Sequence, residues 1–143
     1  MAVTSKFYAK FPLGLCNDLF PDLDAAGTTI KCALLGSGYT FDQETHDDWS
    51  DISANEVSGT GYTAGGAALA NKALSEASRV TKFDADDVVW SNSTITARYA
   101  VLYEVSTGKL ILCIDFGENM SSSGGSFTIT WDAGGIFTLT VPA

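Results

Sequence analysis

The sequence predicts an all-β chain: an antiparallel β-sandwich of jelly-roll or Greek-key type, with one short helix and an N-terminal arm. Three observations carry that expectation. Apolar residues alternate with hydroxyl-bearing or charged ones over short runs, which is the period of half-buried strands. Gly, Ser and Thr punctuate those runs as turn residues do. Nothing alternates strand with long helix, as a parallel βαβ fold requires. At 143 residues, 45% hydrophobic and 17% charged, the chain is long enough to bury a core of its own. We expect a single domain, with an arm over 1–27 and a sandwich over 28–143.

In the arm, Phe7, Phe11 and Leu15 have helical spacing, but Pro12 and Gly14 interrupt the run, which reads as an arm or one broken turn. Thr28 to Leu35 reads as a strand, with Ile30, Cys32 and Leu34 on one face. Phe41 to Ile52 is the one credible helix, with Asp42 suited to capping it and Trp49 anchoring it to the core. Gly59 to Gly66 flanks a single aromatic, Tyr62, and suits a long surface loop. Ala67 to Leu74 is small and apolar and leans towards strand.

Arg79 to Phe83 and Val88 to Trp90 flank the acidic turn Asp84 to Asp87 as a hairpin. Arg98 to Glu104 and Leu110 to Phe116 flank Ser106 to Lys109 as another, with Tyr99, Val101 and Tyr103 expected on the same side as Leu110, Leu112, Ile114 and Phe116. Both strands are apolar on the second face too, which implies a central position or a covered outer face. Ser121 to Gly125 reads as a flexible connection. Phe127 to Trp131 and Phe137 to Val141 then form a final hairpin across Asp132 to Gly135.

Composition excludes several classes. With 11% aromatic residues and few charges, the chain is the reverse of a disordered one. No window approaches the roughly 20 apolar residues of a spanning helix, and Lys6, Lys10 and Pro12 break any signal-peptide core. We expect no membrane partner. The formal net charge of -9, with eight scattered bases, points away from nucleic acid. Six acids (Asp42, Glu44, Asp47, Asp48, Asp51, Glu56) fall between Lys31 and Lys72 with no base among them, forming either a solvated face or a docking surface for a basic partner.

The chemistry is sparse. His46 is the sole histidine, sits among acids, and reads as solvated or helix-capping. Cys16, Cys32 and Cys113 lack metal-ligand or disulfide spacing, and Cys32 and Cys113 sit in apolar runs as small hydrophobes. The acidic turn at Asp84 lacks the central Gly and distal Glu of a calcium loop. The glycine-rich stretch lacks the Lys-Ser/Thr ending of a phosphate loop. These features point to a non-enzymatic protein with no cofactor, metal or catalytic residue.

The stretches TIKCALL (Thr29 to Leu35), YTFDQETHDDWSDISANEVSGTGYTAGG (Tyr39 to Gly66), FDADDVVW (Phe83 to Trp90), TITARYAVLY (Thr94 to Tyr103) and IDFGE (Ile114 to Glu118) resemble a family of small structural proteins of tailed bacteriophages. The segment from Tyr39 to Gly66 is the specific part. The resemblance implies a capsid cement or decoration protein: a virion component on the outer capsid surface, made in the host bacterial cytoplasm, that binds the major capsid protein as a homo-oligomer, a trimer. It also implies a continuous helix after Ser5 to Tyr8, from which Pro12 and Gly14 here depart. The contacts expected for such a role are Phe7, Tyr8 and Phe11 of the arm and Trp49 and Tyr62 of the loop. Two alternatives are a tail-associated subunit and a carbohydrate-binding sandwich that displays Trp90, Trp131 or Tyr62, although both tryptophans lie on strands expected to face inward.

Overall fold

The computed structural model describes residues 2–143. Two antiparallel sheets form a sandwich-like β fold. Strands β1 (Thr4–Phe7), β2 (Ile30–Leu35), β3 (Ala67–Ala68), β6 (Val88–Glu104) and β7 (Leu110–Ile129) make a five-stranded sheet in the order β1-β7-β6-β2-β3. Strands β4 (Ala73–Ala77), β5 (Val80–Asp84) and β8 (Phe137–Thr140) make a three-stranded sheet in the order β4-β5-β8. Two short helices, α1 (Phe11–Cys16) and α2 (Trp49–Ile52), stand where one was expected.

The organising element is the β6–β7 ribbon. Its turn lies at Val105 to Gly108, where Gly108 takes φ +75° and its amide donates to the Glu104 carbonyl at 2.9 Å. Glu104 is only 1% exposed, yet its carboxylate accepts from the amides and hydroxyls of Ser106 and Thr107, all within 2.9 Å. Burial alone would raise this carboxyl; the four donors outweigh it and hold it below the usual range.

The expected register of this hairpin is corrected by one residue. Leu102 pairs with Leu112 and Tyr103 with Leu110, so an irregularity at the turn end shifts the return strand. Val101 and Tyr103 therefore share a face with Leu110 and Cys113, while Leu112, Ile114 and Phe116 face the main core.

Ser121 to Gly125 is not a connection but part of β7, opposite Ser93 to Thr96. Hydroxyl pairs stitch it across the ribbon, Ser93 to Ser122 at 2.7 Å and Thr96 to Ser121 at 2.8 Å. Two further hairpins are corrected. Val80–Asp84 pairs with Ala73–Ala77 and Phe137–Thr140, not with Val88 to Trp90. Phe127 to Ile129 pairs with β6, so the chain crosses between sheets at Asp132 to Gly135 instead of turning back. Gly135 carries that crossing: it sits at φ +101°, and a Cβ there would meet the Lys82 side chain at 2.5 Å.

The N-terminal segment is woven into the fold. β1 pairs antiparallel with β7 from Thr4 opposite Asp115 to Phe7 opposite Leu112. Pro12 fits the first turn of α1, where its missing N–H has no intrahelical partner to lose. Gly14 is required because a Cβ would meet the Phe20 ring at 2.6 Å. The two residues that interrupt the sequence pattern thus let the helix dock against its own return, and Phe20 and Leu23 join the main core.

Around β2 and the turn-proximal halves of β6 and β7, the five-stranded sheet is buried on both faces. One face packs on the small sheet, with Phe83 and Phe137 meeting Ile30, Leu102 and Phe116 in one cluster. The other face, carrying Ala33, Leu35, Val101, Tyr103 and Cys113, is covered by Tyr39, Ile52, Phe41 and Trp49. This explains strands that read as apolar on both sides. The short helix expected over Phe41 to Ile52 is corrected to its last four residues, α2, followed by one 3-10 turn at Ser53–Asn55. The Asp42 carboxylate accepts from the Glu44 and Thr45 amides at 3.0 Å, forming a local turn in place of a helix cap.

Candidate functional site

The residues expected to make outside contacts are largely turned inward. Tyr8 and Phe11 are 0% and 1% exposed, and the half-buried Phe7 stacks on Phe11 at 5.2 Å and meets Phe137 edge-on at 5.2 Å. The exposed aromatic arm is therefore corrected to an interior one. Strand pairing of β1 fixes the entry angle, and the spacing from Phe7 to Phe11 directs both rings at the core. Full burial of a ring such as Phe11 contributes on the order of 1.5–3 kcal/mol.

Trp49 anchors the covering loop as its position suggests, lying parallel to Tyr103 at 4.7 Å with an interplanar angle of 6°. Tyr62 is not the displayed aromatic of a surface loop but a half-buried clamp. Its hydroxyl donates to Glu56 Oε1 at 2.7 Å and accepts the Leu34 amide at 3.0 Å, and burial pushes the phenol well above its ordinary range. Glu56 Oε1 also takes the Gly65 amide at 2.6 Å. The glycines here are pressed onto the chain's own sheet: a Cβ on Gly66 would meet the Cys32 carbonyl oxygen at 2.1 Å, and one on Gly59 the Thr94 carbonyl oxygen at 2.2 Å.

The acidic segment is docked, but on its own chain. Lys109 reaches Asp47 at 2.9 Å and Asp48 at 3.1 Å, and Lys10 reaches Asp47 at 3.4 Å. The Asp51 carboxylate takes the Asp48 and Asp47 amides at 2.9 and 3.0 Å, and those bonds, by favouring the charged form, hold its pKa below the usual carboxylate range. The bases come from outside the acidic run, from α1's approach and the β6–β7 turn, which a local charge count misses. The turn at Asp84 is likewise structural: Asp87 Oδ1 takes the Trp131 amide at 2.9 Å, and Asp86 Oδ2 takes Asn71 Nδ2 at 2.7 Å.

His46 is neither a helix cap nor fully solvated. Its Nδ1 lies 3.0 Å from the Tyr39 hydroxyl. Cys32 and Cys113 are buried thiols pushed up to about 12 by desolvation, while Cys16 is exposed. Among the described residues, no three His, Cys, Asp or Glu side chains converge as a metal site.

The surface feature that sequence reasoning missed lies at the open side of the sandwich, between β1 with β7 and the crossing segment that leads to β8. A groove of about 820 Å³ runs there, lined by Val3, Ile114, Phe116, Met120, Phe127 and Trp131 among others. Val3 and Met120 stand on its rim, 63% and 47% exposed. Beside it, among the described residues, no strand pairs with the outer edge of β7 beyond Asp115. From Asn119 to Trp131 the chain carries no charged residue and no proline. The signal was present in that uncharged run, but reading it as a linker concealed it. Trp90 is buried, whereas Trp131 lines the groove with its indole N–H donating to the Asp86 carbonyl at 2.9 Å.

Comparison with protein-family models, with curated proteins and with solved structures gives no match.

Proposed function

We propose that the chain is a non-enzymatic structural protein of a tailed-bacteriophage particle, a decoration protein that binds the major capsid protein on the outer capsid surface as a trimer and stabilises the shell. The resemblance of Tyr39 to Gly66 suggests the role. The observation that supports it is the apolar groove flanked by an uncharged, open strand edge. Isolated proteins commonly blunt such edges with charges, proline or a covering element. An extended segment of a neighbouring subunit laid along β7 satisfies its backbone while its side chains enter the groove. Apolar residues at the centre of a contact and charges kept to its rim match the composition of protein interfaces.

The reading is tested by adding the protein to capsid shells that lack it, alongside Val3→Asp and Met120→Asp variants. Both positions are exposed, so both variants are expected to fold. Binding by the wild-type chain and its loss in the variants is the expected result. Binding unaffected by either substitution contradicts the groove as the contact, and absence of wild-type binding contradicts the role.

A further inference from the structure

The open edge of β7 and the charges at its two ends define the chemistry of the segment that fits them. β1 covers this edge only as far as Asp115, opposite Thr4. Gly117 marks the break: at φ +82° its amide turns back onto Asp115 Oδ1 at 2.7 Å. Beyond it, among the described residues, the row that β1 occupies in the sheet is empty along β7 as far as Ile129.

A strand seated in that row directs alternate side chains to opposite faces of the sheet. One set enters the groove, towards Phe116, Met120, Phe127 and Trp131. The other set lies on the face where Thr94 and Thr96 are exposed opposite Ser123 and Ser121. An extended segment that alternates apolar with small polar residues meets both requirements. Proline is excluded from it, because each lost N–H is a lost bond to the edge.

The ends carry the charge. Glu118 and Asp132, both exposed, bracket the uncharged run from Asn119 to Trp131. Asp86 and Asp87 stand at the far end, where the Trp131 indole donates to the Asp86 carbonyl and the Trp131 amide to Asp87 Oδ1, both at 2.9 Å. The bases nearby are largely committed: Arg98 is paired with Asp115 and Lys82 with Asp84. Lys6 lines an adjoining recess together with Asp132 and offsets part of its charge, which leaves Asp86 and Asp87 to keep that end negative. A fitting segment therefore carries bases on both flanks.

The same charges disfavour a second copy of the chain at this edge. Antiparallel pairing of β7 with itself, uncharged run against uncharged run, sets Glu118 of each copy beside Asp132 of the other, and like charges directly opposite are destabilising. The formal net charge of -9 on each copy adds to the repulsion.

We infer that the β7 edge receives an extended segment of a different protein, apolar at alternate positions, free of proline and flanked at both ends by Lys or Arg. Main-chain bonds to β7 hold it, the groove selects its apolar side chains and the bracketing carboxylates select its flanks. The inference rests on the reading of the groove as the contact with the shell, and it states what the capsid protein presents there.

Two synthetic peptides added to the whole protein test it. Each alternates valine and threonine over about a dozen residues, the length of the open edge. One carries two lysines at each end, the other two glutamates. By amide chemical shifts, the lysine peptide is expected to perturb residues 119–129 and to bind about tenfold more tightly at low salt, a ratio that falls as salt is added. A proline at the centre of the lysine peptide should abolish binding. Glu118→Gln combined with Asp132→Asn should bring the ratio of affinities close to one. Equal affinity of the unmodified protein for both peptides overturns the inference, as does a dimer of the free protein with the 119–129 amides protected. Shell binding by a protein that takes neither peptide overturns it while sparing the capsid reading. Preferential binding of the lysine peptide by a protein that ignores shells upholds the strand site and overturns the capsid role.

Discussion

Tyr62 and Glu56 form a clamp: one phenol donates to the carboxylate at 2.7 Å and, by accepting the Leu34 amide at 3.0 Å, fastens the 56–66 loop to β2. Tyr62→Phe keeps the ring beside Trp90 but leaves the Leu34 N–H without its acceptor and Glu56 Oε1 with the Gly65 amide alone. We expect a loss of about 1–3 kcal/mol in urea unfolding, with the fold retained. An unchanged midpoint contradicts the clamp.

The same loop gives a steric prediction. Gly66 sits at φ +80°, and an added Cβ would fall on the Cys32 carbonyl, whereas Gly38 has nothing within 4 Å of an added Cβ. Gly66→Ala should cost at least about 2–3 kcal/mol through clash and backbone strain. Gly38→Ala should be close to neutral. Thermal unfolding of the two variants side by side distinguishes them, and equal effects would count against the close approach of the loop to β2.

Thiol chemistry reports burial directly. Cys16 is exposed, while Cys32 and Cys113 are buried with thiols pushed up to about 12. A thiolate-reactive probe at neutral pH should label one thiol quickly and the remaining two only on unfolding. Labelling should disappear in Cys16→Ser. Fast labelling of more than one site in the folded protein contradicts the packing of β2 and β7.

Acid dependence follows from Arg98 and Asp115, whose Nε and Oδ1 are 2.7 Å apart. The hydrogen bond from Arg98 is the main cause that lowers the Asp115 carboxyl below its ordinary range. A lowered carboxyl stabilises the fold above its unfolded-state value and loses that contribution as pH falls through its folded value. The stability difference between wild type and Asp115→Asn should therefore be constant above about pH 5 and shrink below about pH 4. Denaturant midpoints across that range check the sign, and a difference that grows on acidification contradicts it.

Strands were legible wherever alternation was clean, as in Ile30–Leu35 and the two arms of the β6–β7 turn. Their partners were less so. A period of two fixes which side a residue faces but not which strand lies next to it. The turn residues at Asp132 to Gly135 suit a hairpin as well as they suit a crossing between sheets. What decides is tertiary: the Ile136 amide donates to the Phe83 carbonyl at 2.8 Å, drawing the chain onto β5. Composition misled in the other direction at Ser121 to Gly125, where hydroxyl pairs across the ribbon keep a flexible-looking stretch in the sheet.

The site was legible in part. Trp49 was recognisable as an anchor from its place among polar residues, and its stacking on Tyr103 agrees. Tyr8 and Phe11 looked like an adhesive arm because the sequence does not show that β1 pairs with β7 and turns them inward. The groove depends on residues as distant as Val3 and Trp131, which only the closed fold brings together.

The central claim is that this chain clamps capsid subunits, and heating is its most direct test. Anything that binds only the assembled shell raises the shell's apparent stability. Particles carrying the wild-type protein should rupture at a higher temperature than particles without it, and Met120→Asp should return them to the undecorated value. Equal rupture temperatures with and without the wild-type protein would contradict the account.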